Sequence, residues 1–137
     1  MAGRTPAQLY ALVFGAVLLL MGIVGFFVSP SFAVGSAVEA NKGSLLGFDI
    51  NGWHNVIHLL SGAVGLAMAG TPATARLFAL GFGVVYALVT VLGLITTSPL
   101  LGLIPINGAD NVLHLLIAAA GIGAGLASSR APAPTTA

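Results

Sequence analysis

Two ten-residue stretches of the chain repeat the same polar residues at the same spacing. The first, NGWHNVIHLL, begins at Asn51, and the second, NGADNVLHLL, begins at Asn107. Seven of their ten positions are identical, although only 5% of the chain is charged. Imidazole, carboxylate and carboxamide groups bind metal ions, carry protons or bond to one another, so we expect any activity of this chain to reside in these stretches.

The spacing within each stretch puts its ionisable residues on one helix face. Successive helical residues lie about 100° apart, so residues four apart project from the same side. Three imidazoles and one carboxylate form a possible ligand set for a single transition metal such as zinc, or for copper, nickel or iron. The candidate ligands are His54, His58, Asp110 and His114. The adjacent Asn55 and Asn111 can orient them.

Two other interpretations of the same residues stay open. In the first, they form a satisfied hydrogen-bond network, in which Asp110 accepts from His54 or an asparagine and the histidines bond across a helix contact. In the second, His58 and His114 are the axial ligands of a haem b, and the small residues beneath them leave room for the porphyrin.

Transport and catalysis are weaker hypotheses. Intramembrane histidine and aspartate residues are typical of proton-handling proteins and transporters, but four helices seldom enclose a pathway, so a transporter would have to be an oligomer. Below Ser61 the inward face is glycine and alanine, which argues against a pore. No carboxylate in the same half is placed to orient His58 for hydrolysis. The enzyme question stays open, with a non-enzymatic role favoured.

The asparagines and a Thr-Pro pair predict where helices begin. Asn51 and Asn107 are natural N-cap residues, whose side-chain oxygens satisfy the free N–H groups of a helix start. With Asn55 and Asn111 they form a predicted structural polar cluster. Thr71 followed by a proline predicts that the third helix begins before its apolar run.

The composition is that of an integral membrane protein. The chain has 137 residues, of which 58% are hydrophobic, and its mean hydropathy is +1.08. A soluble domain carries about a quarter charged residues. The net charge of +1 and the scattered basic residues argue against nucleic acid as a partner. Without cysteine, disulfides and thiolate chemistry are excluded.

Four apolar segments are long enough to cross a bilayer as helices. They run over residues 9–28, about 53–69, 77–96 and about 111–127. The first aligns with the third and is identical to it at eight of twenty positions, so we interpret it as a retained helix and not as a signal peptide. The fold class predicted is all-α integral membrane, with four transmembrane helices arranged as two parallel helix-pair repeats.

The predicted domain organisation is one four-helix transmembrane domain over residues 1–128. Repeat one covers about 8–70, repeat two covers about 72–128, and the Pro-rich residues 129–137 form a disordered tail. The loop 29–50 has a composition that fits a short interfacial helix. Arg4, Arg76 and Arg130 all fall on one side, so both termini are predicted to be cytoplasmic.

Small residues follow the polar ones down the second and fourth segments. Small residues allow membrane helices to approach closely, and polar side chains then bond across the contact. We therefore expect the second and fourth helices to pack together at the centre, with the first and third helices flanking them.

The repeated motif resembles a family of small bacterial, largely actinobacterial, four-helix membrane proteins, catalogued as domain of unknown function 4383. The resemblance covers residues 9–126, and its most specific positions are His54, Asn55, His58, Asn107, Ala109, Asp110, Asn111 and His114. It implies four helices in a bacterial cytoplasmic membrane and no established activity.

The sequence favours a structural or accessory membrane protein. Its buried polar cluster is expected between helices two and four, near the extracytoplasmic side. The expected partners are the lipid bilayer and either another membrane protein or further copies of the chain. A metal-binding or bis-histidine haem protein is the alternative, and an oligomeric transporter is the third choice.

Overall fold

The computed structural model describes residues 3–96 and 98–128 of the chain. Over these residues the elements, in chain order, are α1 (Pro6–Val28), α2 (Ala37–Ala40), β1 (Gly43–Leu45), β2 (Phe48–Ile50), α3 (Gly52–Met68), α4 (Pro72–Ile95) and α5 (Gly108–Ala127). The tail predicted to be disordered, residues 129–137, lies outside the described residues, as does Arg130.

Proline and threonine set the starts of α1 and α4. Thr5 caps α1 in a capping box with Gln8, and Pro6 occupies the first helical position. Thr71 caps α4 by accepting a 3.2 Å hydrogen bond from the Thr74 N–H, and α4 begins at Pro72. The third long helix therefore begins before its apolar run, as predicted.

Three helices identify the chain as a membrane protein. The segments α1, α4 and α5 are each long and apolar enough to cross a bilayer, with mean hydropathies of 2.7, 2.4 and 1.4. The fourth, α3, has 17 residues, about 25 Å at 1.5 Å per residue, which is slightly less than the hydrocarbon thickness. Large apolar side chains are exposed on the outer faces of all four.

Glycines bring consecutive helices into close antiparallel contact. A β-carbon at Gly15 of α1 would lie only 2.9 Å from the backbone nitrogen of Leu66 of α3. The same contact recurs in the second half, where a β-carbon at Gly83 of α4 would lie 2.9 Å from the nitrogen of Ile122 of α5. Backbones that approach this closely gain dispersion energy along their length, which drives helix association in lipid.

The prediction that α3 and α5 pack together at the centre is wrong. The central pair is α1 and α4, where Ala11 and Ala79 are fully buried. The small residues of α3 and α5 instead face the helices that precede them: a β-carbon at Gly62 would lie 2.7 Å from the Gly15 carbonyl oxygen, and one at Gly121 would lie 2.8 Å from that of Ala79. Small-residue stripes occur on all four long helices. The close pairs are α1 with α3 and α4 with α5, although the loops that join them are longer than the connection between α3 and α4.

The loop between α1 and α3 adds a β-hairpin to the predicted all-α fold. In the first loop, α2 supplies the short helix that was expected, and β1 then pairs with β2 in antiparallel register. The hairpin turns at Leu46 and Gly47, which both have positive φ, at 55° and 88°. A similar turn at Leu101 and Gly102, with φ of 52° and 71°, shapes the second loop. Three-residue strands are too short to show an alternating pattern in the sequence.

We expect alanine substitutions at Gly15 and Gly81 to have opposite effects. Gly15→Ala forces the α1 and α3 backbones apart and should lower the free energy of unfolding by about 1–3 kcal/mol, a typical cost of overpacking. Gly81→Ala is the control, because nothing lies within 4 Å of its added β-carbon and alanine favours the helix. Reversible unfolding in mixed detergent micelles measures both. Equal effects would contradict the close contact.

Candidate functional site

Asn51 and Asn107 cap the helices that carry the candidate ligands. The Asn51 Oδ1 accepts from the His54 N–H at 3.0 Å, and the Asn107 Oδ1 accepts from the Asp110 N–H at 3.0 Å. Asn51 is 1% exposed and His54 4%, so the His54 N–H depends on this cap because water cannot replace it. The two N-cap predictions are confirmed.

The amide nitrogens of the same two asparagines bond to the loop of the other half. Asn51 Nδ2 donates to the Leu103 carbonyl at 2.6 Å, and Asn107 Nδ2 donates to the Gly47 carbonyl at 2.9 Å. Each cap therefore ties the start of its own helix to the opposite loop turn. The sequence pattern of an N-cap does not predict this second hydrogen bond, because its acceptor lies more than 50 residues away in the chain.

Asn55 and Asn111 donate hydrogen bonds to carbonyl groups at the C-terminal ends of α1 and α4. Asn55 Nδ2 donates to the Ser29 carbonyl at 2.9 Å, and Asn111 Nδ2 donates to the Gly93 carbonyl at 3.1 Å. Their Oδ1 atoms have no hydrogen-bond donor among the described residues, and each would overlap a β-carbon added at Gly25 or Gly93, respectively. Both side chains thus join helix pairs and do not orient the candidate ligands.

Three of the four predicted metal ligands converge. One ligand atom each from His54, Asp110 and His114 lie within 4.8 Å of one another. The three side chains are 4%, 2% and 6% exposed, respectively. The group forms where the first turns of α3 and α5 meet, so the predicted His/Asp cluster is present and buried.

Hydrogen bonds leave free lone pairs in this group. The Nδ1 of His54 lies 3.0 Å from the Asp49 carbonyl oxygen; a carbonyl only accepts, so this nitrogen carries the proton and the Nε2 of the neutral ring keeps its lone pair. The Asp110 Oδ2 accepts from the N–H groups of Asn107 at 2.9 Å and Asp49 at 3.2 Å, and not from His54. His114 Nδ1 is buried and has no hydrogen-bond partner among the described residues.

An ion cluster outside the membrane segments holds Asp49 in place. Lys42 Nζ lies 2.7 Å from carboxylate oxygens of both Asp49 and Glu39. These bonds, with Asp49 first, raise the pKa of Lys42. The bonds that Glu39 accepts from Lys42 and from the Ser98 hydroxyl lower the pKa of Glu39. Asp49 was missed as a site residue, since it acts through its backbone, although charges are rare enough in this chain to mark it.

His58 lies beside the convergent group and not within it. It is half-buried, and its ring centroid is 4.4 Å from that of His54. The Tyr86 ring packs edge-on against His114 with centroids 5.1 Å apart. A porphyrin between His58 and His114 would have to displace these aromatic contacts, so the haem hypothesis stays a prediction with less support than a single ion.

Two cavities flank the histidines. The larger, of about 240 Å³, is lined by α1, α3, α5 and the hairpin, and reaches Asp110. The smaller, of about 110 Å³, lies against α4 and the second loop, and includes Ser61 and Tyr86 in its wall. His54, His58 and His114 line both. The cluster is therefore accessible to small molecules from two sides of the bundle.

Comparison with known proteins identifies the family. A family model described as Domain of unknown function (DUF4383) matches residues 8–127, which cover the four helices and the repeated motif. The chain belongs to this family. No curated protein and no solved structure matches it. The resemblance drawn from the motif is confirmed, and the activity of this DUF4383 protein has to be inferred from its site.

We expect the N-cap asparagines of this DUF4383 protein to contribute two separable bonds each. Asn51→Ala removes the cap and the bond to Leu103, at about 1 kcal/mol each, and should lower the free energy of unfolding by about 2 kcal/mol. Asn51→Ser keeps a capping oxygen and should lose about half of that. Unfolding titrations of both variants measure the difference. An Asn51→Ser variant as stable as the wild type would show that the bond between the halves contributes nothing.

Proposed function

We propose that this DUF4383 protein binds one divalent transition metal ion, preferably zinc, through His54, Asp110 and His114. The observations that carry the proposal are the convergence of one ligand atom from each of these residues within 4.8 Å and a buried His114 Nδ1 that has no hydrogen-bond partner among the described residues. A buried unsatisfied nitrogen costs about 1–3 kcal/mol. A metal ion would remove that cost.

The donor set suits zinc. Two imidazoles and one carboxylate form a common three-ligand zinc site with a fourth position open. Bonds of about 2.0–2.1 Å place the ligand atoms of a tetrahedral site about 3.3 Å apart, so atoms already within 4.8 Å need only small side-chain rotations. The carbonyl of Asp49, which accepts from His54 Nδ1, is the kind of partner that fixes the tautomer of a zinc-bound histidine.

A purely structural role is the second candidate. It is favoured by the asparagine bonds, which join helices and loops without any ion. It does not account for His114, since a self-sufficient network would give this nitrogen a donor or acceptor. Oligomeric transport has less support, because Gly62 and Gly65 below the cluster pack against neighbouring helices and leave no polar path inward.

We also propose that all four long helices span a bacterial cytoplasmic membrane, with both termini inside. Support comes from α3, which runs antiparallel along α1 and so returns the chain to its starting side. The matched contacts of Gly15 and Gly83 support two parallel helix-pair repeats. Arg4 and Arg76 lie at the end opposite the Lys42 ion cluster. The apolar exterior suits lipid, a membrane protein partner or further copies of the chain.

Metal analysis of the protein purified in mild detergent tests the site. We expect near-stoichiometric zinc, lost in Asp110→Asn and in His114→Ala and retained in His58→Asn. Asparagine at position 110 keeps an oxygen for the two backbone N–H donors, so this variant should stay folded. A chelator should lower the unfolding temperature of the wild type and not of Asp110→Asn, since ligation at one hundred times Kd stabilises by about 2.7 kcal/mol.

A folded wild type that holds no metal, and gains no stability from added zinc, would favour the structural role. Loss of zinc in His58→Asn as strongly as in His114→Ala would add His58 to the ligand set. Iron with the visible spectrum of a haem would favour the axial pair His58 and His114 instead.

Single cysteines test the topology, because the native chain has none. In intact cells, an impermeant maleimide should label Ser36→Cys in the first outer loop and not Ala73→Cys in the first turn of α4; both positions are exposed. After lysis both should react. Labelling of Ala73→Cys alone would invert the proposed orientation, and labelling of both in intact cells would mean that α3 does not span.

A further inference from the structure

The larger cavity is lined by the three residues of the proposed metal site. Its volume is about 240 Å³, and His54, Asp110 and His114 form part of its wall beside His58. The other lining side chains are apolar and come from α1, α5 and the hairpin, among them Phe14, Val17, Met21, Leu46, Phe48 and Leu113. A cavity with a few polar groups and otherwise apolar walls fits an amphiphilic molecule that has a small polar head group.

Residues of α1 and α5 line the pocket, and some of them are exposed on the outer surface of the bundle. Nearer the inner end the two helices are joined by two hydrogen bonds, from the Ala7 N–H to Ser128 Oγ at 2.9 Å and from the Tyr10 hydroxyl to the Ile117 carbonyl at 3.1 Å. Beyond these bonds the cavity lies between the helices. Val17 at its edge is 48% exposed, on a surface that contacts hydrocarbon in a spanning helix.

Charge balance selects the kind of head group. A divalent ion with Asp110 as its only anionic ligand leaves one positive charge, because the histidine ligands are neutral. The Asp49 and Glu39 carboxylates share the single Lys42 ammonium, so that cluster keeps one negative charge, but neither carboxylate belongs to the group of ligand atoms. The residual positive charge at the ion favours an anion in its own coordination shell, and a three-ligand site has one position open. A monoanionic oxygen ligand fits that position.

We propose that a single-chain lipid carboxylate enters from the bilayer between α1 and α5 and completes the metal coordination. This inference rests on the proposed metal site. An engineered cavity of about 150 Å³ holds benzene, so 240 Å³ accepts a carboxylate and the first part of its chain. Hydroxide from water is the competing fourth ligand.

The smaller cavity provides a matched control within the same chain. It is lined by Val85 and Val89 of α4, where the larger one is lined by Val17 and Met21 of α1. Ser61 and Tyr86 make it more polar, and Ile117 and Leu18 stand at the corresponding positions of the larger pocket. Its volume of about 110 Å³ is too small for a chain. Only the larger cavity should therefore bind the lipid.

Cobalt substitution makes the fourth ligand visible. The full chain, loaded with Co²⁺ in a non-ionic detergent, should show the intense visible bands of a four-coordinate ion. Added decanoate should shift these bands saturably, whereas decanol, which lacks the carboxylate, and acetate, which lacks the chain, should not. This comparison uses the wild type alone and does not depend on a variant that folds.

Two tryptophan variants test the route. Met21→Trp fills the larger pocket away from the metal ligands and should abolish the decanoate shift while the cobalt bands persist. Val89→Trp fills the smaller cavity and should keep the shift. Loss of the shift in Val89→Trp but not in Met21→Trp would overturn the choice of cavity.

The outcomes separate the two proposals. Wild-type protein that fails to bind Co²⁺ overturns the metal site itself. If the cobalt bands do not shift when decanoate is added, the metal site stands but the lipid proposal is overturned. The fourth position is then assigned to water or hydroxide. If acetate shifts the cobalt bands as much as decanoate does, the site is open to water, and this result also overturns the lipid proposal.

Discussion

Polar groups inside a membrane must find their partners within the protein, and the architecture follows from this constraint. Water is not available to the helix ends that lie below the loops, and each unpaired backbone group there costs several kcal/mol. Four asparagines meet this demand in pairs. Asn51 and Asn107 cap helices and bond to the opposite loop, and Asn55 and Asn111 bond to carbonyls at the ends of α1 and α4. The loops and the helix pairs are thereby fixed relative to each other.

Glycine contacts then determine where space remains. Because Gly15 and Gly83 bring α1 to α3 and α4 to α5, each half is a tight pair. The halves meet along α1 and α4, with Ala11 and Ala79 fully buried in the central core. The starts of α3 and α5 are joined by side chains and not by backbone contact. Cavities remain on both sides of that junction, which is why the buried histidines are also accessible.

Local rules predicted the starts of the helices, and they failed where the outcome depended on which surfaces meet. Asn107 and Pro72 predict helix starts, because a capping side chain and a proline ring both act on the backbone within one helical turn. The convergence of His54 with Asp110 followed from their matched places in the two stretches. The packing partners did not follow, since all four helices carry small residues and the sequence does not rank their pairings. The role of Asp49 could not be predicted either, because its contribution comes from its backbone in a hairpin of three-residue strands.

The difference between the two stretches at positions 54 and 110 has a physical reason in the loops above them. Position by position, Pro105 stands in the second half where Asp49 stands in the first, and proline has no N–H to donate. Asp49 therefore serves both sides: its carbonyl accepts from His54 Nδ1 and its N–H donates to the Asp110 carboxylate. A histidine at 110 would lose this donor, and an aspartate at 54 would face a carbonyl that repels it. One carboxylate beside two imidazoles, all three held by the turns that begin α3 and α5, is the result.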